Sequence, residues 1–169
     1  MDRDEIEREL ERLHPLSYGW ALACSGRRPA EALDVLQSTY LKVLGGRARF
    51  DGRSSFKTWL FGVIRLTAAE ERRRERLRRL RLISLESAPP PADPALDAGE
   101  RLVHTERTER LVAALARLSR RQREVLDLVF YHEMTVEEAA AVLRVSVGSA
   151  RTHYERGKRR LRSLLGSLA

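Results

Sequence analysis

The segment at residues 135–161 constrains the fold most, because it carries the signals of two short helices joined by a tight turn. Thr135, followed three residues later by Glu138, forms a capping box that predicts the start of the first helix. Residues 144–145 are predicted to form the turn, and Ser146 is predicted to cap the second helix. This arrangement is typical of a helix-turn-helix motif.

The second of these helices has two contrasting faces. Its inner face is predicted to consist of Val147, Ala150, Tyr154, Gly157 and Leu161. Its outer face is predicted to carry Ser149, Arg151, Thr152, Glu155, Arg156, Lys158 and Arg159. Such a helix fits the major groove of DNA, where arginine bonds guanine and hydroxyl groups bond base edges or phosphates. An ordinary helical hairpin with a solvated basic face is the alternative.

The net charge of +8 and a pI of about 10.5 favour a polyanionic partner. The single cysteine, Cys24, excludes an internal disulfide, and we expect it to be a small buried residue. The first ten residues are too charged for a signal peptide, and no apolar run approaches membrane-spanning length. We therefore expect a cytoplasmic protein that does not insert into a membrane.

The N-terminal half is predicted to be helical. A short surface helix over residues 1–13 is predicted to end before Pro15, and a buried helix over residues 16–23 to include Trp20. The helix predicted over residues 30–44 has an inner face of Leu33, Leu36, Tyr40, Val43 and Leu44. Its other faces carry the side chains that we expect to meet a partner, which are Asp34, Gln37, Ser38 and Lys42.

Residues 49–61 concentrate aromatic rings between cations around the polar loop 51–55. The rings are Phe50, Phe56, Trp59 and Phe61, and the cations are Arg49, Arg53 and Lys57. Such a segment makes a platform for unpaired bases, each of which contributes about 1–3 kcal/mol by stacking. The alternative is that the rings belong to the core. We expect this for Phe61, and both interpretations stay open for Trp59.

A helix is predicted over residues 62–84, with seven arginines within residues 72–81, and this run favours a contact with the phosphate backbone over a merely solvated face. An acidic linker follows at residues 85–104 and holds four of the six prolines. In the C-terminal domain, at residues 105–169, Ser119 is predicted to cap a helix that runs to His132. The chain thus divides into two small helical domains, the first at residues 1–84.

Four motifs follow one another in a fixed order: AEALDVLQ at 30–37, FKTWLF at 56–61, LARLSRRQREVL at 115–126 and SVGSARTHY at 146–154. The first two resemble region 2, and the last two region 4, of the extracytoplasmic-function (ECF) sigma factors of bacterial RNA polymerase. The chain departs from the common family pattern at Leu66 and at Ser119, where the family often has Asn and Pro.

The resemblance implies an all-α fold of two domains and a set of site residues. Contact with core polymerase is implied for Asp34, Gln37, Ser38 and Lys42. Opening of the −10 element is implied for Phe50, Arg53, Ser54, Ser55, Phe56, Trp59, Arg73 and Arg74. Recognition of the −35 element is implied for Ser149, Arg151, Thr152, Glu155, Arg156, Lys158 and Arg159.

The partners that the resemblance implies are the clamp and flap elements of RNA polymerase core, duplex −35 DNA, single-stranded −10 DNA and an anti-sigma factor. It implies no catalytic residue, metal or cofactor. A helix-turn-helix regulator that acts without core polymerase is the main alternative, but such a regulator would not need the aromatic loop. A basic nuclease is a weaker alternative, since it requires converging carboxylates and the acids here are scattered.

Overall fold

The structure is a computed structural model that describes residues 1–83 and 106–166. The described residues form seven α-helices and one π-helix, and they contain no strand, so the prediction of an all-α fold is confirmed. The described residues fall into two compact units, residues 1–83 and residues 106–166, called here the N-terminal and C-terminal units. The predicted linker at 85–104 lies outside the described residues.

The N-terminal unit packs three helices against one another: α1 (Arg3–Cys24), α2 (Pro29–Leu44) and α3 (Phe56–Ile83). Trp20 at the centre of the unit is fully buried, as are Leu60, Phe61 and Ile64 on α3. The indole Nε1 of Trp20 donates a hydrogen bond of 3.0 Å to the carbonyl of Phe61, and the two rings stack 6.0 Å apart. This contact joins α1 to α3 and confirms that Phe61 is a core residue.

The prediction of two N-terminal helices separated by Pro15 is wrong, because α1 is continuous. Pro15 has no N–H, so the carbonyl four residues earlier, on Glu11, lacks its usual helical donor. Both residues are exposed, and water can bond that carbonyl. Leu10, Leu13 and Ser17 form one buried stripe that runs past the proline. Burial of this stripe stabilises a continuous helix.

Helix α2 forms as predicted and ends at Gly45, but its buried stripe differs by about one position from the expected one. Leu33 was expected inside and is 54% exposed, so that prediction is wrong. The buried residues are Ala32, Val35, Leu36, Thr39 and Val43. One residue corresponds to about 100° around a helix, so a small error in phase moves a side chain from the core into solvent.

The C-terminal unit contains α4 (Glu106–Ala116), α5 (Arg120–Leu126), the π-helix (Asp127–Tyr131), α6 (Val136–Leu143) and α7 (Val147–Gly166). Helix α7 contacts α4, α5 and α6. The prediction of one α-helix from residue 120 to residue 132 is wrong in its second half. There the N–H of His132 bonds the carbonyl of Asp127, five residues back, which is the wider turn of a π-helix.

The inner face of α7 agrees with the prediction except at Val147, which is exposed. Val147 is the first residue of the helix, where the chain has only just left the turn. Further along, Gly157 lies against α5, and a Cβ at this position would stand 3.1 Å from Cδ1 of Leu126. The glycine therefore permits the close approach of the two helices. No helix in the described part of the chain could span a membrane.

Candidate nucleic-acid interfaces

The helix-turn-helix forms at the predicted residues. Thr135 Oγ1 accepts the N–H of Glu138 at 3.1 Å, and Glu138 Oε2 accepts the N–H of Thr135 at 2.9 Å, so the capping box is complete. Arg144 ends α6 in the left-handed conformation, with φ of 53°. Ser146 Oγ then accepts the N–H of Ser149 at 3.1 Å, at the start of α7. These caps fix the direction in which α7 leaves the turn.

The outer face of α7 carries a shallow depression, called here the recognition face. It is lined by Gly148, Arg151, Thr152, Glu155, Arg156 and Arg159. Five of the seven side chains predicted to read DNA therefore lie together on one exposed surface. Of the other two, Ser149 is exposed beside the cap and Lys158 is half-buried at the margin.

Several side chains of α7 already have partners in the free protein. Arg151 Nη2 donates to Glu137 Oε1 on α6 at 3.1 Å. Thr152 Oγ1 donates to the carbonyl of Gly148 at 2.9 Å, which fixes its hydroxyl against its own helix. The ammonium of Lys158 lies 3.0 Å from Glu155 Oε1, and 4.3 Å from the centre of the Tyr154 ring. Binding of DNA would have to exchange or share these contacts.

A cluster of three aromatic rings, called here the aromatic cluster, lies at the start of α3 in the N-terminal unit. The ring centres of Phe50, Phe56 and Trp59 are 5.2–5.4 Å apart. Phe56 is buried, whereas Phe50 and Trp59 are half-buried. The cluster thus combines an anchored ring with two rings that retain exposed surface.

The loop before the aromatic cluster is held by its own polar groups. Asp51 Oδ1 accepts the N–H of Arg53 at 3.2 Å, and Gly52 between them has φ of 74°. Ser55 Oγ accepts the N–H of Thr58 at 3.1 Å, so Ser55 caps α3. Arg53 and Ser54 remain exposed. The loop therefore presents the cation of Arg53 and the hydroxyl group of Ser54 beside the rings, while the hydroxyl group of Ser55 caps the helix.

The arginine run on α3 divides into one inward residue and an exposed group. The guanidinium of Arg72 donates to the carbonyl of Cys24 and so caps the end of α1. The exposed members are Arg73, Arg74, Arg76, Arg78, Arg79 and Arg81. Arg74 is paired with Glu71 at 2.8 Å, and Arg79 with Glu75 at 2.9 Å. The helix surface remains strongly basic, since the cations outnumber these two carboxylates.

On α2, the predicted polymerase contacts do not share one environment. Asp34 and Gln37 are exposed, and Ser38 is half-buried. The ammonium of Lys42 instead bonds Glu70 Oε2 at 2.6 Å and Thr67 Oγ1 at 3.1 Å, which joins α2 to α3. Sequence reasoning missed the adjacent Leu41, which is 64% exposed.

The π-helix exposes two aromatic side chains that sequence reasoning also missed. Phe130 is 63% exposed and Tyr131 is 65% exposed. The ring of Phe130 stacks on that of Tyr154 at 5.9 Å. The sequence did carry a signal for their exposure. The two aromatic residues lie just before the predicted cap at Thr135, where the chain leaves one helix and enters a turn.

Family models match both units. The model for sigma-70 region 2 matches residues 10–78, and the model for sigma-70 region 4 matches residues 108–161. The RNA polymerase sigma factor CarQ of Myxococcus xanthus is 32% identical over 98% of this chain and 92% of its own length. SigX of Bacillus subtilis, an ECF RNA polymerase sigma factor, is 33% identical over 76% of this chain and 68% of SigX. This chain is an ECF sigma factor.

Solved structures agree with the fold of the sigma factor. RpoE of Bartonella quintana, solved with the anti-sigma factor NepR, has a TM-score of 0.69 and 25% identity over 96% of this chain and 97% of RpoE. CnrH, solved with the cytosolic domain of CnrY, has a TM-score of 0.66 and 23% identity over 99% of this chain and 92% of CnrH, which supports the fold alone.

Membership of the family settles the general function. The chain is an alternative sigma factor that binds RNA polymerase core and promoter DNA and directs the initiation of transcription. The helix-turn-helix regulator acting without polymerase is not favoured, because a sigma region 2 accompanies the DNA-binding unit.

Proposed function

We propose that the recognition face of α7 reads the −35 element in the major groove of duplex DNA. Five predicted readers line one exposed depression, and this observation carries the proposal. Arg151 and Arg156 supply forked donors that fit guanine. Ser149 and Thr152 supply hydroxyl groups, Lys158 and Arg159 supply positive charge for phosphates, and Glu155 can accept from a cytosine amino group.

We propose that the aromatic cluster and its loop capture unpaired bases of the −10 element. Phe56 anchors the cluster in the fold, and the exposed surface that Phe50 and Trp59 retain is available for stacking. Arg53 and Ser54 face solvent on the adjoining loop, and the exposed Arg73 and Arg74 of α3 supply charge for the backbone. Extrusion of a base from the duplex costs about a few kcal/mol, and stacking of the base on such rings offsets this cost.

We propose that the exposed side of α2 docks on core polymerase. Asp34 and Gln37 supply the polar contacts of this surface, and the half-buried Ser38 lies at its margin. The exposed Leu33 and Leu41 supply apolar area. Lys42, in contrast, is held by α3 and contributes mainly to the fold. Leu33, Gln37 and Leu41 are spaced four residues apart, so these exposed side chains lie along one side of α2.

We propose that an anti-sigma factor regulates the protein by covering its exposed apolar surfaces. RpoE was solved with such a partner, and here Leu33, Leu41, Phe130 and Tyr131 remain uncovered in the described part of the chain. We also propose that the protein works in the cytoplasm and has no catalytic activity of its own, since polymerase performs the chemistry of transcription.

Run-off transcription with core polymerase across a promoter library tests the proposed −35 role. We expect the sigma factor to select promoters with a shared −35 sequence, and Arg151→Ala or Arg156→Ala to lower that preference about tenfold. Arg160→Ala is the matched control, because Arg160 is exposed on α7 but does not line the recognition face. Unchanged −35 preference in both variants would show that this face does not read the promoter.

A further inference from the structure

Arg151, the first arginine of the recognition face, is held by a residue of the neighbouring helix. Its Nη2 lies 3.1 Å from Oε1 of Glu137, fourteen positions earlier in the chain and in the first turn of α6. The contact joins the two helices of the motif across their turn. It also places a carboxylate at the edge of the surface that faces DNA.

The pair has little to offer the stability of the fold. The side chain of Arg151 is 64% exposed and that of Glu137 is 58% exposed. Ion pairs this open to water contribute little to stability, and salt screens them further. The packing of α6 against α7 rests on other residues, including the fully buried Ala139 and Ala150. The pair is therefore better explained by its position beside the recognition face than by a contribution to stability.

An arginine that reads a base must give up the rotational freedom of a long side chain. The loss of that freedom opposes binding, and ordering the side chain before binding lowers the entropic cost of forming the complex. The contact with Glu137 uses one of the five N–H donors of the guanidinium, and a guanine needs two. The carboxylate can therefore orient the side chain while the rest of the fork contacts DNA.

Glu137 is itself well fixed for this purpose. It lies within the capping box of Thr135 and Glu138, which defines the first turn of α6. A negative charge in a first helical turn also interacts favourably with the helix dipole. The backbone of Glu137 thus has a defined position from which its carboxylate reaches Arg151.

We propose that Glu137 is a positioning residue for promoter recognition, which holds Arg151 ready for its base in the −35 element. The proposal rests on the proposed function of Arg151 as a −35 reader. Glu137 acts through Arg151, so its effect should appear as selectivity at the base that Arg151 contacts, and it should vanish when Arg151 is removed.

The test uses the full chain assembled with core polymerase and a pool of promoter duplexes whose −35 segment is randomised. Sequencing of the bound DNA gives the preference at each position. We expect Arg151→Ala to lower the preference at one or two positions about tenfold. We expect Glu137→Gln to lower it at the same positions roughly threefold, the size of one exposed charge pair. The double variant should match Arg151→Ala alone.

The matched control is Glu138→Gln, which removes the same charge one residue away while its amide oxygen can still complete the capping box. Two results would overturn the role of Glu137 and leave that of Arg151 intact. One is an unchanged preference in Glu137→Gln beside a flattened one in Arg151→Ala. The other is an equal gain in occupancy for every sequence in Glu137→Gln and Glu138→Gln, which indicates a general charge effect. An unchanged preference in Arg151→Ala would instead overturn the proposed function of that residue.

Discussion

The two candidate DNA-binding surfaces are built in opposite ways. The recognition face belongs to one helix, whose buried side packs on the unit while its readers face solvent. The aromatic cluster and the loop before it combine irregular chain with the beginning of a helix, and some residues of both also maintain the fold. Ser55 caps α3, and Phe56 is buried.

This difference determines how far binding can be separated from folding. Residues of the recognition face should be replaceable with small effects on stability, because surface changes away from caps and core usually cost less than about 0.5 kcal/mol. Replacement of Ser55 or Phe56 should lower stability and DNA binding together. Trp59, which is half-buried, is the position in the cluster where the two effects can best be distinguished.

The largest expected effect contrasts two neighbouring rings on α3. Phe61→Ala should lower the free energy of unfolding by about 3–5 kcal/mol, because it empties a fully buried site against Trp20. Trp59→Ala should cost only about 1–2 kcal/mol, since the ring is half-buried. Urea unfolding of the full chain, followed by circular dichroism, measures both. Equal losses would place Trp59 in the core and remove the proposed platform.

A second contrast concerns neighbours on α2. Leu41→Ala should weaken binding to core polymerase about tenfold and leave stability nearly unchanged, because it removes exposed apolar area. Lys42→Ala should instead lower stability by about 1 kcal/mol, since it breaks the contacts with Glu70 and Thr67. Binding titrations with labelled protein and parallel unfolding curves give both values. If Lys42→Ala weakens polymerase binding more than Leu41→Ala does, then Lys42 and not Leu41 contacts polymerase, and the proposed roles of these two side chains are contradicted.

The smallest expected effect is a gain in stability in the C-terminal unit. Glu133 precedes the capping box with φ of 54°, a left-handed conformation that costs a non-glycine residue about 1 kcal/mol or more. Glu133→Gly should therefore stabilise the unit by about 0.5–1 kcal/mol, with promoter preference unchanged. The control Glu133→Ala keeps the Cβ and should bring no gain. A lower melting temperature for the glycine variant would argue against strain at this turn.

The sequence predicted local features well and distant contacts poorly. The capping box at Thr135 was readable because it depends on residues three positions apart, and Ser119 was readable as a helix cap. Leu33 and Val147 were assigned to the wrong face, since neither the phase of a stripe nor its first residue is fixed by spacing alone. Pro15 was taken for a break because the pattern does not show that a helix can continue where its unpaired carbonyl meets water.

Contacts between different helices could not be predicted from the sequence pattern. Lys42 and Glu70 are separated by 28 positions, and Arg151 and Glu137 by 14. No periodicity relates such pairs, which depend on how the helices pack. The predicted readers on α7 share one face because a single helix positions them, whereas the roles of Ser55 and Lys42 in the fold became visible only in the structure.

The central claim is a division of labour, in which the N-terminal unit opens the −10 element and the C-terminal unit reads the −35 element. A promoter whose −10 segment is already unpaired by mismatches tests it most directly, with holoenzymes carrying Trp59→Ala or Arg151→Ala. Run-off transcription should recover largely for Trp59→Ala and stay low for Arg151→Ala, because only the first variant lacks the opening step. Recovery of both variants, or of Arg151→Ala alone, would contradict the account.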